Sequence, residues 1–302
     1  MVDAKTRGSA NHIFQLNMYA ITTGDIDGIG FEVTAKALMA RKKLRRAHSE
    51  RFLVFSHRNS EKKYRTLLQK TFGKNYSTST SLQEALQSKV TISELISDES
   101  PARWIETAAS LALDKQIQGL ITAPLSKTEI HAAGLQDMGH TGILQRICQI
   151  EKVYMGFLGR HFNVVLASGH VPLRDVSRCL DRKTLLGAFQ AATQLARLIS
   201  KTKKAPRIGV LGLNPHAGES GMIGNEEQEI QRVLQVKQLL VPDAAFSREV
   251  WKNYDCYLAL YHDQGLIPFK MIHGKSQGAQ VSLGLPIVRT SVDHGTAKDI
   301  FG

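Results

Sequence analysis

Short apolar runs alternate with longer stretches of helical spacing along most of the chain. The apolar runs predict strands at Asn17–Thr22, Phe52–Phe55, Gly119–Thr122, Lys152–Phe157, Asn163–Ala167, Ile208–Leu211, Tyr257–Tyr261 and Ile287–Thr290. The longer stretches predict helices at Gly30–Arg46, Ser60–Lys70, Pro101–Gln118, Lys127–Ala133, Thr141–Gln149, Arg182–Ser200 and Glu226–Leu239. Strands that alternate with helices in this way are typical of an α/β protein with a largely parallel sheet.

Two local features refine this pattern. Asp181 stands directly before the helix predicted at Arg182, where its carboxylate is a good N-cap. The stretch Gly73–Ser81 is rich in serine and threonine and has no apolar repeat. We therefore expect a loop there, either a connection between subdomains or a mobile insert.

Histidines follow three of the predicted strands. They are His170, His216 and His262, in a chain with 11 histidines. Ligands of open α/β sheets bind beyond the carboxyl ends of the strands, and neutral imidazole is the commonest protein ligand of transition metals. Three histidines would leave coordination positions open for a substrate, so the pattern predicts a site for one divalent cation. The alternative is that each histidine caps a loop or orients a neighbour.

Three cationic residues are candidates for anion binding or proton transfer. Lys127 follows a strand end, but a lone lysine is usually a solvated surface group. Lys270 follows Pro268 and Phe269, so we expect it in a semi-buried segment, where desolvation would lower its pKa. Arg289 lies near the end of an apolar run, where a guanidinium suits phosphate or carboxylate.

Several common enzyme motifs are missing from the sequence. The glycine-rich stretch from Gly24 to Gly30 contains two acids and is not Gly-x-Gly-x-x-Gly, so it does not indicate a Rossmann dinucleotide site. A Walker A lysine motif and a Gly-x-Ser-x-Gly elbow do not occur either. These absences disfavour a P-loop NTPase and a serine hydrolase.

Composition and charge narrow the class of protein. The chain has 302 residues, of which 42% are hydrophobic and 22% charged, as expected of a folded globular protein. The net charge of +12 favours anionic partners. Its basic runs indicate either a nucleic-acid or membrane surface or solvated helix ends; they are Arg41-Lys42-Lys43, Arg45-Arg46, and Lys201 with Lys203 and Lys204. We prefer helix ends because aromatic residues make up only 7% of the chain.

The cysteines and the chain start bear on the compartment. The three cysteines, Cys148, Cys179 and Cys256, are widely spaced, which predicts buried or semi-buried thiols rather than disulfides. The first residues lack the apolar core of a signal peptide, and no apolar run approaches the roughly 20 residues of a membrane span. We therefore expect a cytoplasmic protein with no membrane or nucleic-acid partner.

Seven segments of the sequence match one known family in order. They are Gly24-Asp25 with Gly28-Ile29-Gly30 and Glu32; Thr122 to Lys127; Gly139-His140-Thr141; His170 to Val176; Gly212 to Glu219; Tyr261 to Leu266; and Leu283-Gly284-Leu285-Pro286 through Arg289 to Ala297. By these segments, which span nearly the whole chain, the protein resembles the 4-hydroxythreonine-4-phosphate dehydrogenase family of vitamin B6 biosynthesis.

The resemblance implies a reaction and a site. Such enzymes oxidise the C3 hydroxyl of 4-phosphooxy-L-threonine with NAD or NADP, and loss of carbon dioxide then gives 3-amino-2-oxopropyl phosphate. The implied metal ligands, for zinc, magnesium or cobalt, are His170, His216 and His262, shared across a homodimer interface. The implied substrate-binding residues are His140, Thr141, Lys270, Gln280 and Arg289, with Lys270 and His140 as catalytic candidates.

The resemblance also implies an architecture. The expected fold is like that of isocitrate and isopropylmalate dehydrogenases, with two α/β/α subdomains that share a largely parallel sheet and no Rossmann fingerprint. Residues 1–302 would then form one catalytic unit of two interleaved subdomains, with the active site in the cleft between them. The family usually continues beyond the position of Gly302 into a last helix, which we expect to be absent here.

The sequence departs from the family pattern near the substrate. Ile26-Asp27 replace the usual Pro-Ala, Phe31 replaces a proline, and Gln280 stands where the family has a substrate-binding asparagine. The loop from His273 to Ala279 is one residue longer than usual. An added carboxylate at Asp27 would weaken anion binding, and Gln280 would move its amide by one methylene, which can alter selectivity.

Three alternatives stay open. The first is a paralogue that oxidises another phosphorylated hydroxy acid, such as 4-phospho-threonate or 4-phospho-erythronate. The second is an acyl-phosphate transferase of related architecture, which would not need three histidines. The third is a non-catalytic protein that binds anions or nucleic acid, suggested by the net charge of +12.

Overall fold

One large sheet organises the protein. The computed structural model describes residues 17–44, 50–200, 204–274, 278–292 and 295–297. Within them the sheet has eleven strands: β1 (Met18–Thr22), β2 (Arg51–His57), β3 (Tyr76–Ser79), β4 (Ile92–Ser97), β5 (Gly119–Thr122), β6 (Tyr154–Gly159), β7 (Val164–Leu166), β8 (Ile208–Val210), β9 (Cys256–Ala259), β10 (Gly278–Leu283) and β11 (Arg289–Ser291).

Helices connect these strands and cover both faces of the sheet. They are α1 (Gly30–Lys42), α2 (Lys62–Phe72), α3 (Leu82–Gln87), α4 (Pro101–Leu113), α5 (Lys127–Ala132), α6 (His140–Cys148), α7 (Val176–Cys179), α8 (Arg182–Ile199), α9 (Glu226–Leu234), α10 (Pro242–Ala245), α11 (Arg248–Trp251) and α12 (His262–His273). Short 3₁₀ turns lie at Gly73–Asn75, Leu173–Asp175 and Pro215–Gly221. No helix in the described ranges is long and apolar enough to span a membrane.

The direction of the strands changes in the middle of the sheet. The strand order is β3-β4-β2-β1-β5-β11-β10-β6-β7-β9-β8. All neighbours from β3 to β11 are parallel, and so are β7, β9 and β8. Between these two sets, β10 is antiparallel to β11 and to β6, and β6 is antiparallel to β7. Three reversals make the two parallel sets run in opposite directions.

Alternation along the strands builds a core on each face of the sheet. In β1, Ala20 packs on the side of α4 with Trp104, whereas Ile21 packs on the side of α1 with Phe31. Because successive side chains of a strand point to opposite faces, a strand buried on both faces reads as a continuous apolar run. The predicted α/β fold with a largely parallel sheet is therefore confirmed.

Most predicted elements are present, with shifted ends. The eight predicted strands all occur, and the helix predicted at Arg182 begins there with the Asp181 side chain accepting from the Thr184 amide at 2.7 Å. Two helices end earlier than predicted, at Leu113 and Leu234. Propensity alone does not mark where a helix loses its packing partners.

The prediction of a loop at Gly73–Ser81 was wrong. The stretch holds a 3₁₀ turn and edge strand β3, whose Tyr76 is buried with its hydroxyl bonded to Glu94. A strand at the edge of a sheet needs few apolar residues, so alternation was not visible in the sequence. Strands β4 and β10 and helix α12 were also missed; Pro268 lies inside α12 and disguised it.

The basic runs and cysteines behave as predicted where they are described. Arg41 and Lys42 lie in the last turn of α1, a position that favours cations. Arg45, Arg46, Lys201 and Lys203 lie outside the described residues. Cys256 is buried and Cys148 and Cys179 are partly buried, all as free thiols.

A buried ion pair ties α2 to the sheet. Glu94 is fully buried in β4, and its carboxylate accepts from Arg65 Nε at 2.8 Å and from Ser56 and Tyr76 hydroxyls. We predict that Arg65→Met lowers the free energy of unfolding by about 3–5 kcal/mol, because it leaves the Glu94 charge buried without its cation. Adding Glu94→Gln should recover part of that loss, measured by urea unfolding.

The matched control is an exposed pair of the same type. Arg58 bonds Asp98 at 3.0 Å, with both side chains more than half exposed. Arg58→Met should change the unfolding free energy by less than about 1 kcal/mol. Equal losses for Arg58→Met and Arg65→Met would contradict the prediction.

Candidate active site

A polar pocket lies beyond the carboxyl ends of β5 and β11. We call it the Arg289 pocket; its volume is about 350 Å³. It is lined by Thr122, Ala123, Pro124, Leu125, Ser126, His140, Gln280, Arg289, Ser291, Val292, Gly295 and Thr296. Three residues predicted to bind substrate, His140, Gln280 and Arg289, are thus brought together from positions far apart in sequence.

Arg289 is a buried cation that has hydroxyl partners. Its Nη1 donates to Ser282 Oγ at 2.9 Å and its Nη2 to Thr122 Oγ1 at 2.5 Å. Only 3% of the residue is exposed, and burial lowers the pKa of the guanidinium to about 10. Among the residues that the structure describes, no carboxylate pairs with it and its Nε has no hydrogen-bond partner. Such a group fits an anionic ligand, which would compensate the charge.

His140 begins helix α6 at the wall of the same pocket. Its Nε2 lies 3.1 Å from the carbonyl oxygen of Ala123, which can only accept, so Nε2 carries the hydrogen and Nδ1 is an acceptor. Burial, followed by the charge of Arg289, lowers the pKa of His140 to about 3. The imidazole is therefore neutral near pH 7. An anion beside Arg289 would offset the guanidinium charge and make His140 a better proton acceptor.

Gln280 and Ser291 face each other across neighbouring strands. Ser291 Oγ donates to Gln280 Oε1 at 2.9 Å, in the register that pairs β10 with β11. The amide oxygen is thereby occupied, and the Gln280 amide nitrogen is left to donate to a ligand. Both residues line the pocket.

Some residues of the pocket were not predicted individually. Thr122, Ser126, Ser291 and Thr296 contribute hydroxyl groups, and they lie in segments that matched the family without an assigned role. Asp25 is buried and its Oδ1 accepts from the Ser126 amide at 2.8 Å, which fixes the loop after β5. Their adjacency depends on the pairing of β5 with β11, which the sequence does not display.

Gly24 makes that loop possible. It has φ of +69°, and a Cβ at this position would lie 1.9 Å from the carbonyl oxygen of Pro124. The backbone of residue 24 therefore packs directly on the loop of the pocket, and only glycine combines this contact with a positive φ.

The three histidines predicted to bind a metal lie at the opposite end of the sheet, measured along the strands, from the Arg289 pocket. They follow β7, β8 and β9, which are adjacent and parallel. The rings of His170 and His262 are 5.2 Å apart between centroids. His262 Nδ1 lies 2.7 Å from Asp263 Oδ1, which leaves Nε2 as the ring nitrogen for a ligand.

The described part of the chain does not complete a metal site by itself. Within the described ranges no three His, Cys, Asp or Glu side chains are close enough together to hold a metal ion. The rings of His170 and His262 lie together, whereas His216 is exposed on the segment after β8. The assignment of all three as metal ligands stays a prediction.

The backbone that carries His216 is unusual. Five successive residues, from His216 to Ser220, have φ between +42° and +76°. The left-handed conformation costs roughly 1–2 kcal/mol for each residue other than glycine. Four of the five have a Cβ, so surrounding contacts must hold this segment in place, and it is a candidate for a functional conformation.

Gln264 joins the segments that carry two of the histidines. It is buried in α12, where its Oε1 accepts from the Leu260 amide at 2.7 Å and its Nε2 donates to the Gly212 carbonyl at 2.6 Å. The end of β9 is thereby tied to the chain that follows β8. This link fixes the spacing between the His262 and His216 segments.

The predicted semi-burial of one residue was wrong, and two other residues lie outside the lining of the Arg289 pocket. Lys270 is exposed rather than semi-buried: it follows buried Phe269 on α12, and the helix turns it towards solvent. Thr141 is exposed in the first turn of α6 and is not among the lining residues of the Arg289 pocket. Asp27 is likewise exposed and outside that lining. Part of the lengthened loop, residues 275–277, lies outside the described residues.

Known proteins resemble this chain over most of its length. A family model described as pyridoxal phosphate biosynthetic protein PdxA matches residues 32–302. The chain belongs to this family. It is 31% identical over 310 residues to a 4-hydroxythreonine-4-phosphate dehydrogenase of Sulfurihydrogenibium sp. strain YO3AOP1, covering 94% of this chain and 91% of that enzyme. The PdxA resemblance seen in the sequence is therefore confirmed.

Other relatives match over part of their length. A 4-hydroxythreonine-4-phosphate dehydrogenase of Desulforapulum autotrophicum is 41% identical, but the match covers 65% of this chain and only 60% of that enzyme. A D-threonate 4-phosphate dehydrogenase of Cupriavidus necator is 35% identical over 68% of this chain and 64% of the relative. A crystal structure of the Klebsiella pneumoniae 4-hydroxythreonine-4-phosphate dehydrogenase superposes with a TM-score of 0.74 at 28% identity, over 94% and 92% of the two chains.

The low pKa of His140 gives a test of the pocket. An imidazole in an unfolded chain takes up a proton near pH 6.5, whereas His140 does so near pH 3 in the folded protein. The unfolded state therefore binds more protons between these values, so the contribution of His140 to stability is complete above about pH 6.5 and falls as the pH drops towards 3. We predict that ¹⁵N NMR shows a neutral His140 ring at about pH 5.

The signals of His140 are identified by their loss in His140→Gln. Urea-unfolded protein serves as the reference, because its imidazoles titrate near pH 6.5. Protonation of the folded His140 ring near pH 6.5 would contradict the prediction.

Proposed function

We propose that this PdxA-family protein oxidises the C3 hydroxyl of 4-phosphooxy-L-threonine with NAD or NADP, and that decarboxylation gives 3-amino-2-oxopropyl phosphate. The observation that carries the proposal is the buried Arg289 guanidinium, which lines a pocket together with hydroxyl and amide groups. Such a pocket suits a doubly charged phosphate. Membership of the PdxA family and relatives named 4-hydroxythreonine-4-phosphate dehydrogenase support this proposal.

The pocket residues have separate roles in this proposal. Arg289 and the amide nitrogen of Gln280 bind the phosphate, and Thr141 and exposed Lys270 contact the substrate when it is bound. When bound, NAD or NADP would supply the hydride acceptor for C3, and the hydroxyl proton would pass to a base, for which neutral His140 is the candidate. The bond from C2 to the carboxylate then breaks, carbon dioxide leaves, and Lys270 returns a proton to the resulting carbanion.

A divalent cation fits the three histidines by their donor chemistry. His170, His216 and His262 would hold zinc, magnesium or cobalt, with the Asp263 carboxylate orienting the ring of His262. When bound, the cation polarises the hydroxyl and stabilises the negative charge that develops on oxygen.

A homodimer would bring the histidines of one chain close to the Arg289 pocket of the other. Strands β7, β8 and β9 run opposite to β5 and β11, so their carboxyl ends lie at opposite ends of the sheet. The histidines and the Arg289 pocket are therefore separated within one chain. Apolar side chains are exposed beside each histidine segment: Leu173 at 70%, Met222 at 82% and Met271 at 79%. We infer that a second copy covers these side chains and supplies the missing part of the active site.

A second candidate activity is the oxidation of D-threonate 4-phosphate. One relative carries the name of that dehydrogenase, and Gln280 stands where the B6 enzymes have asparagine. The longer side chain reaches a different position in the pocket, which can change the preference between an amino group and a hydroxyl on the substrate.

A substrate panel separates the two activities. We predict reduction of NAD or NADP with 4-phosphooxy-L-threonine in the presence of a divalent cation, followed by absorbance, and little turnover of D-threonate 4-phosphate. Turnover of D-threonate 4-phosphate alone would favour the second candidate.

His216→Ala should remove activity and bound metal while circular dichroism stays unchanged; full activity in that variant would refute the metal assignment.

The oligomeric state gives an independent test. We predict that Met271→Glu converts a dimer into a monomer in light-scattering chromatography, because it places a charge in an apolar interface. The control is Leu67→Glu on α2, an exposed apolar residue of the other half of the sheet. A monomeric wild-type protein, or a Met271→Glu variant that stays dimeric, would count against the shared site.

A further inference from the structure

Glu227 is a buried acid beside the segment that carries His216. It lies in the first turn of α9 with 5% of its surface exposed. Among the described residues no cation pairs with it, and its partners are amide groups instead. The N-terminal position on a helix also favours its negative charge.

Its two oxygens hold the start of the His216 segment. Oε1 accepts from the backbone amides of Leu213 at 2.9 Å and Asn214 at 2.7 Å. Oε2 accepts from the Asn214 side-chain amide at 3.0 Å. Three donors converge on one carboxylate, so the group that fits here must be an acceptor only.

The same carboxylate touches the middle of the left-handed segment. Gly218 has φ of +76°, and a Cβ on it would lie 2.5 Å from Glu227 Oε2. The backbone of Gly218 therefore packs directly against the carboxylate. Glu227 thus contacts the chain both before and after His216, and it braces the five residues whose conformation is unfavourable in isolation.

We propose that Glu227 is the positioning residue of the His216 imidazole, and that its carboxylate sets the affinity of the histidine site for a divalent cation. The inference rests on the proposed metal function. Glu227 does not act on the substrate; it acts by keeping residues 213–218 in the conformation that presents His216. Groups that orient metal ligands in this way commonly change metal affinity by 10- to 100-fold when they are removed.

Replacement by glutamine distinguishes a carboxylate from a spacer. Glu227→Gln keeps the size and can still accept from both backbone amides. Its NH₂ group, however, meets the Asn214 side-chain amide, donor against donor. Asn214 can turn its amide to relieve this, but it then loses its bond to Glu226 Oε2, which is 2.8 Å long. We therefore expect the glutamine variant to lie between wild type and alanine.

The test measures the binding of Co²⁺ to the full chain by calorimetry. We expect Glu227→Ala to weaken binding by about 10- to 100-fold and Glu227→Gln by less. The control is Glu229→Gln, an exposed acid on the same helix whose carboxylate bonds Arg232, and it should change binding by less than about twofold. Binding of inorganic phosphate at the Arg289 pocket should be the same in all variants.

A second readout needs no metal. Hydrogen exchange of the Leu213 and Asn214 amides in the metal-free protein should be faster in Glu227→Ala than in wild type, with thermal unfolding reporting on the overall fold. Unchanged exchange at both amides, or wild-type affinity for Co²⁺ in Glu227→Ala, would overturn the inference. If wild type itself fails to bind Co²⁺, the metal function fails, and this inference about affinity falls with it.

A double-mutant cycle covers a Glu227→Ala variant that folds poorly. Gly218→Ala puts a Cβ against Glu227 Oε2, so it should weaken Co²⁺ binding in the wild-type background and do so to a smaller extent in the Glu227→Asp background, where the shorter side chain leaves room for the Cβ. Strictly additive effects would show that the contact between residues 218 and 227 does not position His216.

Discussion

Strand β10 runs antiparallel to both of its neighbours, β11 and β6, and β6 runs antiparallel to β7. These pairings turn the second parallel set of strands against the first. Functional groups at strand ends are consequently divided between two ends of one sheet, with Arg289 at one and His170 at the other. Since ligands of α/β sheets bind at the carboxyl ends of strands, this division places one group of candidate site residues at each end of the sheet.

Buried charge is handled differently at three places in the fold. Glu94 is compensated by Arg65, which gives stability and needs no ligand. Glu227 is compensated by backbone amides, so its charge holds a conformation. Arg289 has only hydroxyl partners among the described residues, and its charge is the one that a substrate anion can satisfy. A buried charge therefore indicates a binding function only when its own protein leaves it uncompensated.

The arrangement of the histidines after β7, β8 and β9 depends on a strained backbone as well as on the strand order. His216 stands at the start of five left-handed residues, and Gln264 and Glu227 fix the chain on either side of them. These two supporting side chains, a buried amide and a buried carboxylate, contact none of the residues predicted to bind the substrate. Contacts made by α9 and α12 compensate the cost of the left-handed conformation. The accuracy of the histidine site therefore depends on helices outside the His216 segment.

The sequence by itself determined the alternation of strands and helices, the histidines at strand ends and the PdxA-family motifs, because periodicity and local motifs are written in neighbouring residues. It did not reveal edge strand β3, whose Tyr76 is the buried residue of a polar stretch, nor the exposure of Lys270, which depends on the helical phase of α12. The pairing of β10 with β6 was decided only by tertiary structure, since it joins residues far apart in the chain. That pairing sets the direction of half the sheet, and therefore which strand ends can meet.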